Sequence, residues 1–234
     1  MIIIVKISKG MKFTVITIFP QLVEDYFKEG ILSRALRKKQ VGLKTVNPRR
    51  FTKDRHQTVD DFPYGGGAGL VMKVEPLAKA IKAATKVAPR SAVQQNRGNK
   101  IKRRIILLDA RGKRFTQKEA RRLAKYEELV FVCGRYEGVD ERIKYYIDES
   151  LSLGDFVLMG GELAALSVME AVSRLLPGVL HHPESAKHES FTKGNELEHP
   201  QYTRPEVFEG HRVPKVLLLG NHSKIEAWRR KNSK

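Results

Sequence analysis

Short, nearly unbroken apolar runs alternate along this chain with stretches in which apolar residues recur every three or four positions. Lys12–Phe19 (KFTVITIF) reads as a strand, and 20–39 as helical with an interruption at Gly30. Val41–Val46 predicts a second strand and Glu75–Val87 a helix, followed by a polar loop over 91–102. Arg104–Ala110 and Leu129–Gly134 are apolar enough for buried strands; between them, 116-TQKE-119 has the form of a capping box opening a helix. A further apolar run, Ser150–Gly161, leads into a helix over Glu162–Leu176 that Pro177 and Gly178 halt. Apolar strands separated by helices predict an α/β fold whose mostly parallel sheet is covered on both faces.

The texture changes from residue 181, where HHPESAKHESFTKGNELEHPQYTRP is polar and irregular. Met11 makes a second start, so residues 1–10 read as an N-terminal extension. The expected organisation is a main domain over 11–180, a linker over 181–197 and a small helical C-terminal domain over 198–234.

Composition adds a polyanionic partner. The chain carries 44 Lys and Arg against 26 Asp and Glu, a formal charge of +18, and such an excess fits contact with nucleic acid. It is concentrated: Arg97 to Lys125 holds twelve cations and two acids, the composition of a surface that meets a phosphate backbone. Cys133 is the only cysteine, which excludes an intramolecular disulfide and a cysteine-based zinc site. The opening MIIIVKISKG lacks a cleavage pattern and no later run reaches spanning length, so a cytoplasmic protein with no membrane partner is expected.

Candidate chemistry lies in loops at the ends of the predicted strands, where open parallel sheets bind ligands. LLDARGKR (107–114), CGRYEGVDER (133–142) and SLGDFVLMGGELA (152–164) each set glycine just past an apolar run. A fourth glycine-rich stretch, 62-FPYGGGAGL-70, has four glycines in five positions. It lacks the Lys-Ser/Thr ending of a phosphate loop, and neither GRYEG nor VLMGGE matches G-x-G-x-x-G. A pocket of backbone amides and apolar walls suits an adenosine-like molecule without a triphosphate.

The strings 53-KDRHQTVDDFPYGGGAG-69, 132-VCGRYEGVDERI-143, 152-SLGDFVLMGGELAAL-166, 172-VSRLLPGVL-180, 202-YTRPEVFEG-210 and 216-VLLLGNHSKIEAWR-229 closely resemble the bacterial tRNA (guanine-N1)-methyltransferase family. The resemblance runs from about Met11 to Arg230. It implies a SPOUT-type α/β domain with a deep trefoil knot, S-adenosylmethionine in the knot, and a homodimer whose active site is shared between subunits. The implied reaction is methyl transfer to N1 of guanosine 37 of tRNA, in the anticodon stem-loop. A SPOUT methyltransferase acting on another RNA position, and a non-catalytic RNA-binding protein, are the alternatives.

Carried over residue by residue, the resemblance assigns the cofactor to Leu107, Leu108, Gly134, Glu137, Gly138, Leu153, Gly154, Phe156, Leu158, Gly160 and Gly161. The family often has Pro where Ala110 stands and Tyr where Phe156 stands. The general base falls on Glu189, where the family pattern has Asp, and Arg174 matches an arginine that assists catalysis. Asp60, Gly65, Gly69, Leu180 and Ser185 are implied around the target base, with Arg55 and His56 beside them; Asp60 suits a guanine's N1 and N2 edge. Mg²⁺ dependence is also implied, with no ligands assigned and Glu137 one possible contributor.

Overall fold

The computed structural model describes residues 10–86, 101–181, 189–191, 194 and 196–233, which fall into two compact units, Met1–His181 and His182–Lys234. Five strands form the centre of the first unit: β1 (Met11–Ile16), β2 (Val41–Val46), β5 (Arg103–Arg114), β6 (Glu128–Cys133) and β7 (Glu149–Ser152). They lie in the order β2-β1-β6-β5-β7, and every pairing is parallel. A small antiparallel pair, β3 (Asp60–Asp61) with β4 (Val71–Met72), brackets the glycine-rich loop.

Successive side chains of a strand point to opposite faces, so the apolar runs feed two cores. On one face Phe13, Leu129, Phe131 and Ile106 pack with residues of α1 (Pro20–Tyr26), α2 (Gly30–Arg37), α4 (Gln117–Leu123) and α5 (Glu162–Ser173). Phe13 meets Phe27 edge-on with ring centroids 6.5 Å apart, and Phe131 at 6.4 Å. On the other face Ile16, Val130, Val132, Ile105 and Leu107 pack against α3 (Val74–Thr85) and the 3-10 turn Glu141–Tyr146. Burial on both faces is why β6 is apolar without alternation.

The interruption expected at Gly30 within 20–39 is present: α1 and α2 are separate helices, and Gly30 adopts φ +65°. One local expectation changes. The capping box at 116–119 is not made: Thr116 is the N-cap, but its side chain caps nothing. Glu119 instead turns inward, where Lys113 Nζ at 2.7 Å and Arg122 Nε at 2.8 Å donate to it. Two charge-assisted bonds to a buried carboxylate outweigh one bond to a helix-end amide. Residues 87–100, most of the expected polar loop, lie outside the described residues.

In the second unit, β8 (Val207–Phe208) and β9 (His211–Arg212) form a hairpin, with Glu209 at φ +48° and Gly210 at φ +84° in its turn. Helix α6 (Lys215–Leu218) precedes α7 (His222–Asn232), whose N-cap Asn221 accepts from the Lys224 amide at 3.1 Å. Trp228 packs edge-on against His199 and Tyr202, both at 6.2 Å. No helix among the described residues is long and apolar enough to cross a membrane.

Candidate active site

The loops leaving the carboxyl ends of β5, β6 and β7 surround a cavity of about 480 Å³. All eleven residues that the sequence resemblance assigns to the cofactor line it. Leu107 and Leu108 come from the end of β5, and Gly134, Glu137 and Gly138 from the loop after β6. Leu153, Gly154, Phe156, Leu158, Gly160 and Gly161 come from the loop after β7. Parallel strands bring these loops together because all three strands end at the same edge of the sheet.

Two glycines are demanded by close approach. A Cβ on Gly161 would sit 2.8 Å from Cys133 Cα, and the Gly161 amide donates to Gly134 O at 3.0 Å. The two loops therefore meet backbone to backbone. A Cβ on Gly69 would lie 2.5 Å from Glu137 Cγ, and Gly69 has φ +80°. The glycine-rich loop is thereby fastened to the cavity's rim. The Glu137 amide donates to Leu70 O at 3.0 Å, the Met72 amide to Gly138 O at 2.9 Å, and the Asp140 amide to Met72 O at 3.0 Å.

A brace absent from the sequence reading supports this wall. Glu162, 1% exposed at the start of α5, accepts from Thr17 Oγ1 at 2.6 Å and from Arg135 Nε at 2.9 Å. The Arg135 guanidinium also stacks over Phe19, 4.6 Å from the ring centroid, and its Nη1 reaches Met159 O at 3.4 Å. Arg135 and Glu162 thus link the segments that follow β1 and β6 to α5 and the 156–161 loop. Arg135 stands inside the quoted GRYEG string, yet its partners are remote in sequence, so no spacing signals them. Beneath it, burial pushes the Cys133 thiol pKa well above its usual value, Glu162 adding to the effect.

The residues implied for the target base divide. Asp60 is half-buried in β3, opposite Met72, while Gly65 is exposed at φ +88°. Arg55 and His56 are exposed on a turn closed by Asp54, whose carboxylate accepts the Thr58 amide at 2.9 Å and hydroxyl at 2.7 Å. Those two bonds lower the Asp54 pKa below the ordinary value. Arg49, unremarked in the sequence, ties this turn to the cavity's rim through Gln57 O at 3.0 Å and Tyr136 Oη at 3.5 Å. Leu180 is half-buried beyond α5, and Ser185 lies outside the described residues.

Arg174 does not line this cavity. It stands at the C-terminal cap of α5 and borders a second cavity of about 530 Å³ with Tyr26, Glu170 and Ser173. Glu189 belongs to the second unit and is half-buried there. Among the described residues no three His, Cys, Asp or Glu come together in a way that could hold a metal ion.

A family model for tRNA (guanine-1)-methyltransferase TrmD matches residues 11–234. The chain belongs to this family. Among its TrmD relatives is the tRNA (guanine-N(1)-)-methyltransferase of Clostridium perfringens (strain SM101 / Type A), 48% identical over 223 residues that cover 95% of this chain and 88% of that protein. The protein of the same name from Geobacter sulfurreducens is 49% identical over 224 residues, covering 95% and 86%. That of Caldanaerobacter subterraneus subsp. tengcongensis is 48% identical over 223 residues, covering 95% and 87%. As a TrmD sequence, the chain has its family strings at the cavity: GRYEG and SLGDFVLMGGE form two of the three lining loops.

Proposed function

We propose that this chain transfers a methyl group from S-adenosylmethionine to N1 of guanosine 37 of tRNA. Membership of the TrmD family supports the reaction class, and the observation that carries the reading is the convergence of eleven family-matched residues on one cavity. S-Adenosylmethionine supplies a methyl group on a cationic sulfur. The cavity suits it: backbone polar groups and apolar side chains at the rim would hold an adenosine, as Leu107, Leu153 and Phe156 offer flat or branched apolar surface. Glu137, fixed through its own amide and packed on Gly69, is the carboxylate available to a cationic amino or sulfonium end.

The guanine N1 carries a proton at neutral pH, so a base must remove it as the nitrogen becomes nucleophilic. Glu189 takes that role, its carboxylate accepting the N1 proton. Arg174 donates to the O6 oxygen, where negative charge gathers as the proton leaves. Holding the acceptor in line with the breaking methyl–sulfur bond supplies most of the remaining rate enhancement. Asp60 reads the preceding guanine, and the bare backbone of 65–69 gives a flat wall for the target base; Arg55, His56, Leu180 and Ser185 complete this surface.

The active form is a homodimer with its site at the subunit interface. Two observations support this: Arg174 borders a cavity other than the one that suits the cofactor, and Val157 and Met159 at the cavity's lip are 89% and 90% exposed. A deep trefoil knot is supported by the pairing of β7. Leu151 pairs with both Leu108 and Lys113. The register of β5 against β7 shifts between Leu108 and Lys113, so residues 109–112 bulge out of the pairing. A Cβ on Gly112 would lie 2.6 Å from the Leu151 backbone. The main domain spans 11–180, with a linker over 181–197 and a tRNA-contacting C-terminal domain over 198–234. The protein works in the cytoplasm, where tRNA is modified.

The test is incubation of the protein with S-adenosylmethionine and unmodified tRNA, followed by nucleoside mapping. N1-methylguanosine at position 37 is expected; a product at any other position, or none despite tRNA binding, would falsify the assignment. Glu189→Gln is expected to slow transfer by about 10²- to 10⁴-fold while S-adenosylmethionine binding stays unchanged.

A further inference from the structure

The opposite edge of the sheet, at the amino ends of the strands, carries a charge cluster that the methyl-transfer site does not use. Glu128, 2% exposed at the start of β6, is fully engaged. It accepts from Lys12 Nζ at 2.8 Å, Thr14 Oγ1 at 3.1 Å and Arg103 Nε at 2.5 Å. Arg103 Nη1 also donates to Thr85 O at 2.8 Å, at the C-terminal end of α3.

Lys44 is the cation left over. In β2 it stands opposite Thr14, on the face that bears Glu128, and it is only partly exposed. Among the described residues it makes no hydrogen bond and no ion pair. Burial lowers its pKa first, and the nearby charges of Lys12, Arg103 and Lys86 lower it further, against the single carboxylate Glu128. Four cations thus share one anion that three donors already occupy. The C-terminal dipole of α3 favours Arg103 and Lys86, but gives Lys44 no acceptor.

The flanking sequence supplies no carboxylate: residues 1–9, which precede β1 in the chain, and residues 87–100, which follow α3, contain no Asp or Glu. A partly buried cation crowded by like charges gains from an anion supplied from outside the chain. The donors are compact ammonium groups, which suit a tetrahedral oxyanion as a set of point charges.

We propose that Lys44, with Lys12 and Lys86 beside it, forms a phosphate-binding site on the outer strand β2, next to the Glu128 cluster and separate from the methyl-transfer cavity. Lys44 is level with Thr14 and so with Val130, three residue steps before Cys133 at the end of β6, about 10 Å along the strands, and β1 stands between β2 and β6. The phosphate has two sources, the backbone of the RNA substrate and free phosphate, and the site's chemistry is the same for both.

The test compares wild type, Lys44→Gln and Lys44→Arg in two arms. In the first, tRNA affinity is measured from low to moderate salt. Loss of one RNA phosphate contact reduces the slope of log Kd against log[salt] by about 0.7–0.9; Lys44→Arg restores it, and kcat at saturating tRNA is unchanged in both variants. In the second, inorganic phosphate is added without RNA at constant ionic strength. A rise in Tm for wild type that is absent in Lys44→Gln identifies an oxyanion site independently of tRNA and of the methyl-transfer reading. Without phosphate, Lys44→Gln is expected to melt no lower than wild type, because it removes an unpaired half-buried charge. A changed slope assigns RNA phosphate; a phosphate-specific Tm response with an unchanged slope assigns free phosphate. If Lys44→Gln alters neither, the proposal is overturned.

Discussion

Replacing Gly161 by Ala tests the contact that shapes the cavity proposed for S-adenosylmethionine. Gly161 has an ordinary negative φ of −81° at the start of α5, so alanine introduces no backbone strain of its own. Its Cβ would lie 2.8 Å from Cys133 Cα and 3.2 Å from Cys133 Cβ. Carbon atoms settle at about 3.5–4.0 Å, so the 161 and 133 backbones must part by about 1 Å. That separation stretches the 3.0 Å bond from the Gly161 amide to Gly134 O to about 4 Å, beyond hydrogen-bonding range. Overpacking costs about 1–3 kcal/mol and the lost bond about 1 kcal/mol. The sum, about 2–4 kcal/mol, corresponds to a Tm lowered by about 4–16 °C for a chain of this size. The displaced glycine lines the cavity, so S-adenosylmethionine affinity should fall by about ten- to a hundredfold, or 1.4–2.8 kcal/mol. Calorimetric titration and thermal melting read both quantities. Gly66→Ala is the control: φ is +78° and nothing lies within 4 Å of its Cβ, so it strains only its own loop and leaves the ligand's affinity intact. Wild-type affinity in Gly161→Ala, with Tm unchanged within about 1 °C, would refute the packing argument.

Arg135→Lys keeps the charge but loses the planar fork that joins Glu162, Phe19 and Met159; KM for S-adenosylmethionine should rise more than kcat falls, in steady-state kinetics. Arg135→Met strands the buried Glu162 carboxylate and should cost about 3–5 kcal/mol in denaturant unfolding; a smaller loss than Arg135→Lys would contradict the brace. Burial pushes the Glu128 carboxyl upward, but bonds from Lys12 and Arg103 outweigh it and hold its pKa below the ordinary value. A carboxyl with a depressed folded pKa stabilises above its unfolded pKa of about 4.3 and loses that stabilisation as pH falls through the folded value. Below about pH 4.3, wild-type Tm should therefore drop more steeply than that of Glu128→Gln, with the two curves parallel above pH 6.

Much of this fold was legible in the residue order. The apolar runs of β1, β2, β5 and β6 are dense because both sheet faces are covered, and that density distinguishes buried parallel strands from amphipathic helices. The three strand-end glycine loops were likewise visible, since glycine just past an apolar run marks where backbone turns closely around a ligand. Their family strings name the chemistry. Local sequence misjudged Thr116 and Glu119, whose capping-box spacing is overridden by Lys113 and Arg122, and it treated the cations of 97–125 as a uniform RNA-facing surface. The structure commits Arg103, Arg104, Lys113 and Arg122 to carboxylates, so the net charge of that stretch overstates what is available to a polyanion.

Sequence alone determined the element types, the parallel sheet and the identity of the lining loops, because periodicity and glycine placement are local properties of the chain. Only the tertiary structure decided which remote residues meet. Glu162 joins Arg135 to Thr17, Gly161 rests on Cys133, and Gly69 packs against Glu137. It also left Lys44 without a partner beside a saturated Glu128. Such contacts depend on strand order and register, which bring positions over a hundred residues apart within hydrogen-bonding distance and leave no periodic trace in the sequence.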